Sequence, residues 1–517
     1  MRLKRFFPLL LLAGAFSNSG LATITLPEVI GDNMVLQRDQ PVPIWGKADP
    51  GEAVRVKFGS EIKSAVADGQ GKWIVWLGPL LANATALDMT ITGSNQIELH
   101  NILVGEVWLV SGQSNMQWTL EQSNGGAESI QAADYPEIRL FNVSRDVAFK
   151  RKTGKLATWE LCSPESVPDF SGVGYFFGLS LYRELGVPIG LINSSYGGSQ
   201  AEAWTPLEYL AASDDLRPCI EREKMWAKER PVVQADYDKK IQDWEAAVKK
   251  AEAEGTKPPY RPRVPDALRD YRIASSIYTN MIEPLIPFAI RGACWYQGES
   301  NEERAEQYEL LLPTMIRAWR ERWHQGDFPF AIVQLPNFRK SSAEPADEAW
   351  SHIRDAQRKT YMETPNTGLI VTIDIGEADD IHPKNKIDVG TRLFRWALAD
   401  VYGHRITKSG PVFREASFAD GQATLLFDEV GTGLKMCSGT VLQTFAIAGE
   451  DRVWHWAEAK IVGEDKVVVW SSEVPDPRAV RYAFNNNPEG PNLSNETCLP
   501  ATPFRTDNWP GPTAGKR

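Results

Sequence analysis

Val107-Trp108-Leu109-Val110-Ser111-Gly112-Gln113-Ser114-Asn115-Met116 is the stretch on which the fold turns. Its apolar run reads as a strand buried on both faces, and the small polar residues after it lead into a helix start. A junction of this kind exposes the Ser114 hydroxyl and brings backbone N–H groups near a helix start, where developing negative charge is stabilised. It is not the G-x-S-x-G elbow, because Met116 stands where that motif needs its second glycine. A serine at such a turn is ordinarily a helix cap. As a nucleophile it needs a base from elsewhere in the chain.

Outward from this strand, the same rhythm runs from residue 104 to residue 403. Candidate strands at 189–193, 290–296, 330–335 and 369–374 alternate with amphipathic stretches at 173–185, 304–323, 347–361 and 387–402. This alternation predicts an α/β core with a parallel sheet covered on both faces. Ligands of such sheets bind beyond the carboxyl ends of the strands. Residues 23–103 carry short alternating segments punctuated by Asp49-Pro50-Gly51 and Asp68-Gly69, the pattern of a small antiparallel β-sandwich. Residues 404–517 return to short β segments and form a C-terminal β-rich domain. An insertion at about 205–275 departs from the rhythm: residues 221–255 are rich in Ala, Glu and Lys, and 257–265 in proline. It reads as an exposed helical hairpin packed on the outside, with a lid or a subunit contact as the other reading.

Residues 1–22 have a basic start, a short apolar run and small residues at Gly20-Leu21-Ala22, the order of a secretory signal peptide, so the mature chain is expected to be secreted or periplasmic. No later run is apolar and long enough for a transmembrane segment. The net charge of −11 over 517 residues argues against a nucleic-acid partner. Five widely spaced cysteines fit neither a disulfide scaffold nor a metal cluster, and Cys437 with Cys498 is the plausible bridge, both lying in the C-terminal β region. No His pair or His/Asp cluster has ligand spacing, so neither a metal nor another cofactor is expected.

A serine is a poor nucleophile until a base accepts its proton, and histidine is the usual base near neutral pH. Of the six histidines, His382 alone occupies a polar loop at the end of a predicted core strand with carboxylates within three residues. Asp380 is favoured to orient it, because alternate residues of an extended loop face one way. Asp379 is the alternative, natural to a turn.

With these residues in view, the chain resembles the sialate O-acetylesterases within the SGNH hydrolase superfamily. The resemblance is carried by Gly112-Gln113-Ser114-Asn115, Ile192-Asn193-Ser194-Ser195-Tyr196-Gly197-Gly198-Ser199, Tyr296-Gln297-Gly298-Glu299-Ser300-Asn301 and Asp380-Ile381-His382-Pro383. Leu36-Gln37 to Trp45-Gly46 and Arg481-Tyr482-Ala483-Phe484 also look familial, so the likeness spans nearly the whole mature chain. It implies a flavodoxin-like SGNH core flanked by the two β-rich domains. It further implies a serine esterase acting on O-acetylated carbohydrate, with Ser114, His382 and Asp380 or Asp379 as the catalytic group. The implied oxyanion donors are the backbone N–H groups of Ser114 and Gly198, with Gly197 as the alternative, and the side-chain amide of Gln297, which stands where the wider superfamily has Asn. Glu299 is expected to hold its loop rather than act as a base.

Trp118, Tyr196, Trp204 and Trp295 flank these blocks and offer apolar faces to a sugar. Arg354 can take a substrate carboxylate bidentately. An esterase of acetylxylan or another polysaccharide is the alternative substrate reading. A noncatalytic carbohydrate-binding protein on a hydrolase fold is the alternative class.

Overall fold

The computed structural model describes residues 23–145 and 156–517, so the predicted signal segment lies outside the described residues. The chain is mixed α/β: a central mixed sheet with helices on its faces, plus β-rich regions before and after it. The core elements, in chain order, are β1 (Gln96–Gly112), β2 (Tyr135–Asn142), β3 (Trp159–Cys162), α1 (Gly172–Leu185), β4 (Ile189–Ser195), α2 (Arg217–Glu254), β5 (Gly292–Tyr296), α3 (Ala305–Trp323), β6 (Phe330–Val333), α4 (Ala349–Glu363), β7 (Thr367–Ile370) and α5 (Lys386–Trp396). The sheet runs β7-β6-β5-β1-β4-β2-β3. All neighbours are parallel except β3, which is antiparallel to β2.

Strand β1 explains why the sequence changes character near residue 103. Its first half alternates in exposure, as one face of the N-terminal sheet, and from Ile102 onward every residue is buried. Near-continuous apolar runs follow where a strand is covered on both sides, here broken by Glu106, whose buried carboxylate is paired with Arg38 and Arg291. The strand therefore runs unbroken through 103/104, shared by the N-terminal β region and the core.

Two local expectations are corrected, and one strand pair is added to those expected. The edge strand ends at Ile370, not near Asp374. Beyond it, Arg392 grips Asp374 at 2.7 Å through both carboxylate oxygens and also donates to the Val371 carbonyl, turning the chain out of the sheet. The β2–β3 pair was not read from the sequence. The charged run of the insertion forms a single 38-residue helix, α2, rather than a helical hairpin. It closes at Gly255 in the left-handed conformation (φ +65°). Four prolines between 257 and 265 then remove backbone donors and disfavour helix. The chain returns extended along α2, pinned by Trp244 to the Pro259 carbonyl (2.9 Å) and Arg230 to the Ala267 carbonyl (2.8 Å).

The C-terminal region builds its own core from two four-stranded sheets, with Phe413 and Phe504 stacked at 4.3 Å. Cys437 and Cys498 are bridged there, across 61 residues. The helices nearest the site are set by a close crossing: a Cβ on Gly390 of α5 would come within 2.6 Å of Phe176 of α1. That contact fixes α5, and with it the loop that carries His382.

Candidate active site

The register aligns Gly112 at the end of β1 with Ser195 of β4 and Tyr296 of β5, so three sequence blocks meet at the carboxyl ends of adjacent parallel strands. Gly112 adopts φ +135°, and a Cβ there would fall 2.1 Å from the Tyr296 carbonyl oxygen. Only glycine lets the chain bend at this point, with Gln113 N–H donating to Tyr296 (2.9 Å) and Tyr196 N–H to Gly112 (2.9 Å). Ser114 follows as the first residue of a single helical turn, Ser114–Gln117. Four residues make a weak dipole at best, so the individual N–H groups matter more than the helix.

The loop after β7 brings His382 to the serine: Nε2 lies 2.9 Å from Ser114 Oγ. Asp380 Oδ1 accepts the His382 backbone N–H at 2.9 Å and stands 3.6 Å from Nδ1. Among the described residues, the Asp379 carboxylate has no hydrogen-bond or ion-pair partner. Trp118, which ends the nucleophile turn, stacks on the imidazole with ring centres 5.1 Å apart and planes 18° from parallel. Burial lowers the His382 pKa, the Asp380 carboxylate opposes this, and the Lys386 cation adds to the lowering. A lowered value keeps the ring neutral, the state a general base requires.

Glycines approach the serine from the other side. A Cβ on Gly197 would lie 3.3 Å from Ser114 Cβ. The Gly197 N–H is taken by Gln117 Oε1 at 2.7 Å, whereas the Ser114 and Gly198 N–H groups have no acceptor among the described residues. Gln297 is fully buried, and its amide donates to Asn301 Oδ1 (2.8 Å) and the Ser199 carbonyl (3.3 Å). As placed, its hydrogens hold the glycine block and do not face an acyl oxygen. Its expected role as an oxyanion donor requires one of these two bonds to be exchanged for the acyl oxygen.

Two expectations are corrected. Arg354 is fully buried and donates to the Asn485 and Asn486 carbonyls, joining α4 to the C-terminal region. Burial pushes its guanidinium down to about 9. Trp295 and Trp204 are also fully buried, edge to face at 5.4 Å, in an aromatic cluster with Trp319. Both are packing residues. Tyr196 is half-buried, its ring 4.9 Å from Tyr271.

The sequence reading missed a buried network beneath the nucleophile. Asn115 donates to Glu299 Oε1 (2.7 Å) and to the Ile381 carbonyl (3.0 Å), and accepts from Lys386 Nζ (2.6 Å). The turn bearing Ser114, the loop bearing His382 and the Glu299 segment are thereby tied at one amide. Burial raises the Glu299 pKa and lowers that of Lys386, each favouring the neutral form, while each group's charge partly restores the other's. The nearness of Lys386 to His382 in sequence was the available signal.

Ser114 and His382 open onto a cavity of about 1020 Å³, at the upper limit of small-molecule sites of roughly 300–1,000 Å³. A second cavity of equal volume lies against α3, near Pro313 and His324, with no serine–histidine hydrogen bond. The catalytic-side cavity is walled by the start of α2, its return segment and Arg304. Arg222 and Arg304 converge on buried Glu202 at 2.9 and 2.5 Å. Burial raises that carboxyl, but the two guanidiniums outweigh it and hold Glu202 below its ordinary value.

Asp380→Asn is expected to lower kcat/KM about 10²-fold, and more than Asp379→Asn does. That is less than for a fully buried triad aspartate, because Asp380 is partly exposed and its contact long. Steady-state kinetics on the two variants decide the order.

Comparison with known proteins gives a consistent result. Residues 266–399 match the family model described as carbohydrate esterase, sialic acid-specific acetylesterase, a span that holds Gln297, Glu299 and His382. The chain is 30% identical over 427 residues to the sialate O-acetylesterase of Pongo abelii, covering 74% of this chain and 72% of that one. To the mouse (Mus musculus) sialate O-acetylesterase it is 28% identical over 464 residues, covering 81% and 82%. The crystal structure of a carbohydrate acetylesterase from Xanthomonas citri superposes with a TM-score of 0.78 at 35% identity, over 94% of this chain and all of that one.

Proposed function

The chain belongs to the sialate O-acetylesterase family of carbohydrate esterases, and from that premise we propose that it removes O-acetyl groups from carbohydrate through an acetyl-enzyme on Ser114. The observation that carries the mechanism is the 2.9 Å contact between Ser114 Oγ and His382 Nε2. Oγ attacks the acetyl carbonyl carbon as Nε2 takes its proton. The Ser114 and Gly198 N–H groups receive the oxyanion. Each such donor typically contributes about 10²- to 10³-fold in rate. The tetrahedral intermediate then expels the sugar oxygen, which His382 protonates, leaving acetyl-Ser114. Water, deprotonated by His382, releases acetate. Asp380 orients the imidazole and favours its charged form in the transition state.

The core fits an SGNH-type hydrolase, with its site at the carboxyl ends of parallel strands. The substrate is an O-acetylated sialic acid, by likeness to the mammalian relatives. Among the described residues no helix is long and apolar enough to cross a membrane. The Cys437–Cys498 bridge supports an exported protein, because disulfides persist in oxidising compartments.

Acetate release from 9-O-acetylated sialic acid, acetylated xylan and an aryl acetate tests this reading. Release is expected from all three, fastest relative to the aryl ester on the sialic acid, with Ser114 labelled by an organophosphonate. Preference for xylan would move the assignment to a polysaccharide esterase. Neither label nor acetate would leave a noncatalytic binding protein.

A further inference from the structure

We propose that the inserted arm, α2 with its return, supplies a glycan subsite in which Trp226 stacks on a sugar ring and Arg263 binds an anionic substituent, a carboxylate. The proposal rests on the esterase reading of the Ser114 cavity and names the residues that select its substrate.

The geometry begins with helix periodicity. Arg222 and Trp226, four residues apart, share a face of α2, and both line the cavity that holds Ser114 and His382. The return brings Arg263, Asp266 and Arg272 to the same wall. Most of the charged groups there are already engaged. Arg222 and Arg304 are paired with Glu202, Arg272 with Asp266 at 2.7 Å, and Arg517 with Asp215 at 2.6 Å. Arg263 is exposed, and among the described residues it has neither an acidic partner nor a carbonyl acceptor. Trp226 is half-buried, and its indole neither stacks nor donates within the described chain.

An uncommitted aromatic face and an uncommitted guanidinium on one wall, opening onto an activated serine, are the two elements that recognise an acidic sugar. The indole covers the apolar C–H face of the ring, and the guanidinium fork matches a carboxylate bidentately. Lys516, also without an acidic partner, adds positive charge at the rim, and Glu303 subtracts from it. The arm is presented ready-made. Bonds from Arg230 to Ala267 and from Trp244 to Pro259 hold the return against α2, so little ordering is left for the ligand to impose. Chemistry is thus built on the sheet, and selection on an element added to it.

The test compares kcat/KM on 9-O-acetylated sialic acid, on its methyl ester, which lacks the carboxylate, and on 4-nitrophenyl acetate. Arg263→Gln is expected to shrink the preference for the acid over the methyl ester about tenfold, the size of one charge-assisted hydrogen bond. Arg263→Lys should restore part of it. Trp226→Ala should lower the ratio of sugar to aryl ester about tenfold for both sugars. An acid-to-methyl-ester ratio unchanged in Arg263→Gln, or equal loss on sugar and aryl esters in Trp226→Ala, overturns the subsite. Absence of acetate release by the unaltered enzyme from both sugar esters, with 4-nitrophenyl acetate still cleaved, overturns the subsite alone, and absence of release from all three overturns the esterase reading with it.

Discussion

Ser114→Ala lowers kcat on an acetylated sugar by about 10⁵- to 10⁶-fold, to the residual rate that binding and the oxyanion donors sustain alone. The size follows from the geometry. No other hydroxyl is hydrogen-bonded to His382 among the described residues, so the acyl-enzyme route closes with the serine. His382→Ala is expected to cost nearly as much, and the double variant little more than either single one, because each residue is useless without the other. Single-turnover kinetics with mass detection of acetyl-Ser114 check this: an intermediate persisting in Ser114→Ala would remove the assignment. The pH profile adds a sign. His382 works only as the neutral imidazole, and its pKa is lowered in the folded protein, so the acid limb of kcat/KM should lie below the ordinary histidine value of about 6.5.

Lys386→Met is the second large effect. It removes the donor to Asn115 Oδ1 and the cation that offsets buried Glu299. Without the cation Glu299 takes up a proton and Asn115 Oδ1 loses its donor, at a cost of about 1–3 kcal/mol of stability. The double variant Lys386→Met with Glu299→Gln should recover part of that, because a neutral amide in place of the carboxylate no longer needs the cation. Denaturant unfolding measures both. The same substitution moves the acid limb of the rate profile upward: Lys386 disfavours protonated His382, so without it the imidazole holds its proton to higher pH. Asp380, which also faces Lys386, remains in the variant and acts on the imidazole in the same upward direction. A stable Lys386→Met with an unmoved profile would reduce the network to ordinary packing.

The legible part of the site was the part written in local sequence. Gly112 before Gln113-Ser114 signals a bend that only glycine makes, and His382 beside two aspartates after a strand signals a polar loop at a sheet edge. The misread residues share a different cause. Arg354, Trp204 and Trp295 are of types that bind sugars when exposed, and exposure is a property of the packed chain. Gln297 was read by its chemistry, an amide donor, but which way the amide points depends on Asn301 and Ser199. Lysines at helix starts are usually solvated, and Lys386 is buried because Asn115, Trp118 and Tyr296, from distant parts of the chain, close around its ammonium.

The sequence by itself determined the alternation of strand and helix, the serine at the end of a buried strand and the histidine in its polar loop. These follow from hydrophobic period and turn chemistry, which act between near neighbours. Only the tertiary structure decided that Ser114 and His382, 268 residues apart, lie 2.9 Å from each other, that Asp380 is the nearer carboxylate, and that α2 walls the cavity. Distances across the fold are set by strand order and helix crossing, and those are outcomes of burying the whole core at once.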